Sequence, residues 1–284
     1  MIKTFFAWPE LHDGQLTFTN EGEPVEVTQE TISVIKQNGK IINKFITERI
    51  YYEMLMQNFQ DVLKVIDKFN TAEVNFTRNT DFIPYLNNLN RLLVNALVSV
   101  HTYLDYYEKT INTNADVKKL TAMYFDESAL YRFIYKLRNF VVHKSLPITR
   151  LQSDIETTPS TQFYISTEYL LSSESFKWGK AKEYIINAGK LISVLDLVKD
   201  TIILFTSFHL KLVSDSIDKI IEIQKFYDSF ARFSESTYSY PFILYVDTDD
   251  MSKISWSDLF TINVEKIDNA MKLLKIDPHT GMRY

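Results

Sequence analysis

A mainly α-helical fold is predicted by three observations. The 284 residues include only six glycines and seven prolines, too few for a turn-rich sandwich or barrel. Apolar side chains recur every three, four or seven residues over long stretches, as in helices with one buried face. Helix-start signals stand where these stretches begin: Thr28-Gln29-Glu30-Thr31, Pro84 and Asp126-Glu127-Ser128. Apolar residues make up 45% of the chain, an ordinary share for a globular protein of this length. One mostly helical domain, residues 28–235, is expected. It carries a β-like appendage over residues 1–27 and a strand-helix appendage over residues 236–284.

The elements follow in order. Gln15-Leu16-Thr17-Phe18-Thr19 and Pro24-Val25-Glu26-Val27 alternate polar and apolar residues, and Asn20-Glu21-Gly22 between them predicts a hairpin turn. From Thr28, a stripe runs through Ile32, Ile35, Ile42, Phe45, Ile46, Ile50, Leu55, Phe59, Val62, Leu63 and Ile66. It predicts a long helix that Gly39 bends or interrupts. A second helix is expected from about Pro84 to Thr110, buried on Leu86, Leu89, Leu93, Ala96, Leu97, Val100 and Leu104. A shorter one follows over residues 116–125. The next opens at Asp126-Glu127-Ser128, buries Leu130, Phe133, Ile134, Leu137 and Val141, and is closed by Pro147. Gln162–Ser166 and Glu168–Leu171 predict a short strand or hairpin near 160–171. Helix then resumes near Trp178, breaks around Ser214 and ends near Phe233. Phe242–Val246 is a strand candidate, and a last helix is expected over Val264–Leu274.

Composition excludes several classes of function. There is no cysteine, which removes disulfides, thiolate metal sites and cysteine nucleophiles. A net charge of −5 gives no global attraction to nucleic acid, though it leaves room for a local basic cleft. The N-terminus lacks the pattern of a signal peptide. The most apolar run, Thr201–Leu210, is too short to span a bilayer and predicts a buried core helix. A cytoplasmic protein without membrane partners is expected. Phosphate-cradling glycine loops and nucleophile-elbow serines are absent from the sequence, so no cofactor and no metal site are expected.

Arg138-Asn139-Phe140-Val141-Val142-His143, followed by Lys144-Ser145-Leu146-Pro147, concentrates chemistry in six residues. Cleavage of RNA without a metal needs a group to take the 2′-hydroxyl proton and another to protonate the leaving 5′ oxygen. It also needs positive charge beside the phosphorane. Histidine serves as acid or base near neutrality. The arginine fork matches phosphate oxygens, and such preorganised charge is often the largest catalytic contribution. Asn139 can orient either partner. Asn139 and His143 share one helical face, whereas Arg138 and His143 lie about 140° apart on an ideal helix. Three solutions are open: the arginine's length compensates, the helix loosens before Pro147, or the groups flank a cleft formed with another subunit. On spacing alone, His143 could equally be a helix-terminal cation favoured by the macrodipole and Arg138 a surface ion-pair partner.

Leu137–Pro147 resembles the "LRN…H…LP" segment of bacterial HEPN-like proteins, and arginine, a polar residue and a following histidine resemble the signature of HEPN-domain ribonucleases. The sharp match covers about eleven residues, and a looser helical pattern covers residues 28–235. The resemblance implies an antiparallel helical bundle and metal-independent endoribonuclease activity on RNA, in phage defence or toxin-type growth arrest. It also implies a homodimer whose paired motifs line one cleft, with Arg138, Asn139 and His143 as catalytic residues and an antitoxin or regulatory protein as a further partner. Some family toxins carry a tyrosine two residues after the histidine, which a partner nucleotidyltransferase modifies. Ser145 stands there in this chain. Family members can also lose nuclease activity and persist as interaction scaffolds.

Other candidates are weaker. His101 and Asp105 stand four apart on the second long helix, with Glu108 beyond. They suit a metal or a shell around the motif less well than a simple polar pair, because further ligands are missing. The tyrosines at 103, 106, 107, 124, 131 and 135 could stack on bases, yet such residues more often pack between helices. Asp247-Thr248-Asp249-Asp250 lacks the glycine and glutamate of a calcium loop.

Overall fold

The computed structural model describes residues 3–7, 9–12, 15–18, 25–71, 82–110, 115–154, 160–173, 175–230, 232–234, 237–239, 242–246 and 259–260. They are mostly helical. The strands are β1 (Lys3–Ala7), β2 (Pro9–His12), β3 (Gln15–Phe18), β4 (Val25–Glu26), β5 (Arg150–Asp154), β6 (Ser160–Ser166), β7 (Leu191–Ser193), β8 (Arg232–Ser234), β9 (Thr237–Ser239), β10 (Phe242–Val246) and β11 (Leu259–Phe260). The helices are α1 (Gln29–Thr71), α2 (Ile83–Thr110), α3 (Ala115–Glu127), α4 (Ala129–His143), α5 (Thr167–Ser172), α6 (Lys182–Asn187) and α7 (Val194–Asp228), with a 3-10 turn at Gly179–Ala181. The helix expected at Val264–Leu274, the turn at Asn20-Glu21-Gly22 and the Asp247–Asp250 segment lie outside the described residues.

The chain forms two compact units, residues 1–49 with 213–284 and residues 50–212. Both divisions fall inside helices, α1 and α7, so each of these helices contributes residues to both units. In the first unit, α1 starts as its sequence predicts: the Thr31 amide donates to Thr28 Oγ1 at 3.2 Å, and the helix runs on through Gly39. Ile32, Ile35, Ile42 and Phe45 of α1 are buried, as are Val213, Ile217, Ile220 and Ile223 of α7. The Tyr227 hydroxyl donates to the Ile35 carbonyl at 3.5 Å. A four-stranded sheet has the order β11-β10-β1-β4. The expected hairpin is corrected here: β3 pairs with β2, and β4 pairs with β1. Asp13-Gly14, a dipeptide favoured in two-residue hairpins, stands between β2 and β3 in the sequence and is the stronger turn signal.

The second unit holds the large core. It joins Leu55, Phe59 and Val62 of α1 to Leu89, Leu93 and Leu97 of α2, Phe133, Leu137 and Phe140 of α4, and Phe205 and Phe208 of α7. Helices α2 and α4 run antiparallel: Asn90 near the start of α2 bonds Ile148 beyond the end of α4, while His101 meets Tyr135. A three-stranded antiparallel sheet has the order β5-β6-β7.

Three expectations fail in this unit. Glu168–Leu171 is helical, within α5, because Ser166 ends β6 and caps the helix by accepting from the Tyr169 amide at 3.3 Å. The helix expected to run on from Trp178 is interrupted. Gly189 takes a φ of +77°, a conformation open mainly to glycine, and the chain then extends into β7. In the part of α7 that belongs to the first unit, the break expected around Ser214 does not occur. The Thr201–Leu210 run is also only half core: Thr201, Phe205, Phe208 and His209 are buried, whereas Ile203 and Leu210 are exposed. Among the described residues, no helix is long and apolar enough to cross a membrane.

Candidate functional site

The motif occupies the second half of α4, and the rest of that helix fixes it in place. Ser128 caps the N-terminus by accepting from the Tyr131 amide at 3.1 Å, an arrangement worth ~1 kcal/mol. The buried stripe Phe133, Ile134, Leu137 and Phe140 then fills the core. Phe140 stacks on Trp178 at 5.4 Å and meets Phe176 edge-on. Phe133 stacks on Tyr184 at 4.6 Å. The Trp178 indole N–H donates to the Leu170 carbonyl at 3.0 Å, so the aromatic wall behind the motif is itself anchored.

The segment after the motif is held as firmly. The Lys144 amide closes α4 by donating to the Phe140 carbonyl at 2.8 Å. Pro147 and Ile148 are buried. Asn90 of α2 bonds both backbone groups of Ile148: its Nδ2 donates to the carbonyl at 3.2 Å and its Oδ1 accepts from the amide at 3.0 Å. This side-chain amide replaces a β-ladder partner and satisfies two buried backbone groups. Lys144 Nζ also donates to Ser175 Oγ at 2.8 Å.

Within this frame the three motif residues diverge. Helix α4 remains regular through His143, so loosening before Pro147 does not occur. Arg138 is half-buried. Its Nη1 donates to Asn139 Oδ1 at 2.9 Å, while its Nε is sealed from solvent and meets no acceptor among the described residues. Asn139 is half-buried and His143 is exposed. At 100° per residue, Arg138 lies on one side of the outward face of α4 and His143 on the other. Exposed Tyr135 and Val142 form the ridge between them. The structure pairs Arg138 with Asn139, and among the described residues no hydrogen bond joins the guanidinium to His143.

His101 Nε2 lies 3.4 Å from Asp105 Oδ1. Its ring meets Tyr135 edge-on at 6.4 Å, one helical turn from Arg138. Among the described residues, no group of three histidine, aspartate or glutamate side chains is placed to hold a metal ion. Tyr103, Tyr107, Tyr124 and Tyr131 are buried, and only Tyr135 of the neighbouring tyrosines on α4 presents an exposed ring. Tyr103 donates to, or accepts from, His209 Nδ1 at 3.0 Å. His209 stacks on Tyr52 with centroids 4.0 Å apart. Burial, the Glu108 carboxylate and the neighbouring Tyr135 hold the Tyr131 phenol well above its usual range.

Two supporting residues had no sequence signal. One is Asn90, whose partner lies 58 positions away. The other is Arg132, which is buried and donates from Nη1 to the carbonyls of Phe125 and Asp126 at 2.9 and 2.7 Å. Its Nη2 reaches Glu183 Oε2 at 3.0 Å. Arg132 thus caps the C-terminal end of α3 and ties it to α4 and α6.

No family model matches the chain, and no curated protein and no solved structure resembles it to a significant degree.

Proposed function

We propose that this chain is a metal-independent endoribonuclease of the HEPN type, acting as a homodimer in phage defence or growth arrest. One observation carries the proposal. A guanidinium pre-paired with Asn139 and an exposed imidazole flank the outward face of α4, a helix locked in place from behind and beyond. Preorganised charge and a proton-transfer group on a rigid element are what phosphodiester cleavage needs. Because Arg138 and His143 stand apart on a regular helix, convergence requires two copies packed along the Tyr135–Val142 ridge. With the two copies of α4 parallel, two-fold symmetry brings the arginine side of each ridge to the histidine side of the other and forms two equivalent sites. At each site the His143 imidazole takes the 2′-hydroxyl proton and then gives a proton to the leaving 5′ oxygen, while Arg138 of the other copy holds the phosphate.

The test is incubation of the purified protein with total RNA in the presence of a chelator, beside His143→Ala. Fragments ending in a cyclic phosphate, absent with the variant, support 2′-hydroxyl attack. Equal cleavage by the variant rejects the assignment. A second reading, a non-catalytic scaffold on the same fold, is favoured by one detail: Arg138 Nε is sealed from solvent, as in a residue that serves packing. That reading expects no cleavage by the wild-type protein.

A further inference from the structure

A concave site lies toward the N-terminal half of α4, clear of the motif residues. It is a cleft of about 720 Å³ lined by residues of α2, α3 and α4, among them Glu108, Lys118, Phe125, Asp126, Tyr131 and Tyr135. Its volume falls in the range of small-molecule sites. Phe125 and Tyr135 are exposed and present apolar ring surface. Asp126 is engaged by Lys180 Nζ at 3.4 Å. Glu108 has no hydrogen-bond or ion-pair partner among the described residues, so the cleft keeps an unengaged carboxylate beside aromatic rings.

We propose that this cleft binds a small organic cation, an alkylammonium or guanidinium group carried on an apolar stem. The charged nitrogen sits at the Glu108 carboxylate, and the stem lies against the rings of Tyr135 and Phe125. Carboxylate plus aromatic surface is the pairing that holds such cations, through charge, hydrogen bonds and the ring quadrupole. Asp126 is offset by Lys180, so Glu108 is the lining carboxylate left for a cationic ligand. The Tyr131 phenol stays neutral beside Glu108, so it adds no competing charge. The cleft shares Tyr135 with the ridge on which the proposed dimer packs, and Glu108 and Phe125 carry the site independently of the nuclease assignment.

Two sources share the chemistry, a free polyamine and a cationic side chain of a protein. Calorimetric titration of the full chain with spermidine and, separately, with Nα-acetyl-arginine amide distinguishes them, at physiological salt so that diffuse attraction to an acidic protein is screened. Saturable one-site binding of either probe is expected, and the tighter probe identifies the source. Glu108→Gln should weaken binding about tenfold or more, a loss of ~1.4 kcal/mol, and Tyr135→Leu should weaken it less. Lys118→Ala should leave binding unchanged or tighten it. Thermal melts establish that each variant is folded, and Glu108, Lys118 and Tyr135 are all exposed. Failure of both probes to saturate, undiminished binding by folded Glu108→Gln, or loss of binding on Lys118→Ala overturns the proposal.

Discussion

Two arginines six residues apart on α4 have opposite surroundings. Arg132 is buried and spends three hydrogen bonds on groups from α3 and α6, two of them backbone carbonyls. Arg138 is half-buried and, among the described residues, bonds only its neighbour Asn139. Each has an Nε without an acceptor. The difference lies at the far end of the guanidinium, which is bound into the fold in one case and to a neighbouring amide in the other. The first half of the helix is therefore scaffold. The second half keeps a cation, an amide and an imidazole whose side chains, among the described residues, make no hydrogen bond to another element.

RNA cleavage separates the two arginines most sharply. His143→Ala and Arg138→Ala should each lower RNA cleavage by about 10²-fold or more, with thermal melts close to wild type. His143 is exposed, and Arg138 loses one bond to a half-buried partner, a cost of ~1 kcal/mol. An Arg138→Ala protein that melts far below wild type would move Arg138 into the scaffold class. Arg132→Met should behave in the reverse way. Removing a buried cation strands the carbonyls of Phe125 and Asp126, at a cost of about 2–4 kcal/mol in urea unfolding. Little of that comes from Glu183, whose side chain is 60% exposed. Cleavage per folded molecule should survive. Equal stability of Arg132→Met and wild type would end the distinction.

The motif singles out Arg138, but nothing in the sequence predicts the burial and bonding of Arg132, and the reason is physical. Patterns that act within one or two turns are legible. Thr28 and Ser128 cap where expected, α2 begins at Ile83 beside the anticipated Pro84, and the apolar faces of α1, α2 and α4 follow from their periodicity. Short segments mislead, because six residues such as those of α5 carry too few turns to set a period. Ser166 decides that case through a cap at the end of a strand. Partners distant in the chain leave no trace: Glu183 lies 51 positions from Arg132, and Ile148 lies 58 from Asn90. At the candidate site, the residue types and the 140° separation were visible. The bond from Arg138 to Asn139 depends on side-chain rotamers that spacing does not set, and the cleft around Glu108 emerges only when three helices are assembled.

Smaller effects sharpen the comparison. Ser128→Ala removes the α4 cap and should cost ~1 kcal/mol, read as a lower urea midpoint. It lies fifteen positions before His143, so cleavage at temperatures well below the melt should be unchanged. A parallel fall in cleavage would mean that the motif depends on the whole helix rather than on the anchoring of its second half through Phe140 and Asn90.

The smallest expected effect concerns a buried charge with poorer company than Arg132. Glu48 of α1 is 2% exposed, and its nearest cation among the described residues is Lys44 Nζ at 3.7 Å, on a side chain that is itself half in solvent. Burial pushes its carboxyl above the ordinary value near 4.5, against the opposing pull of Lys44. A raised folded-state value means that, as pH rises past 4.5, the unfolded chain gives up this proton before the folded chain does. Stability then falls with rising pH through that window and stays lowered above it. Glu48→Gln keeps the shape and removes the charge, so it should stabilise the protein at pH 7 by on the order of 1 kcal/mol and flatten the fall between mildly acidic and neutral pH. Urea melts of both proteins at pH 5 and pH 7.5 read this directly. A variant less stable than wild type at pH 7.5 would show that Glu48 is held by its surroundings as firmly as Arg132 is, and that the ionised carboxylate belongs to the fold.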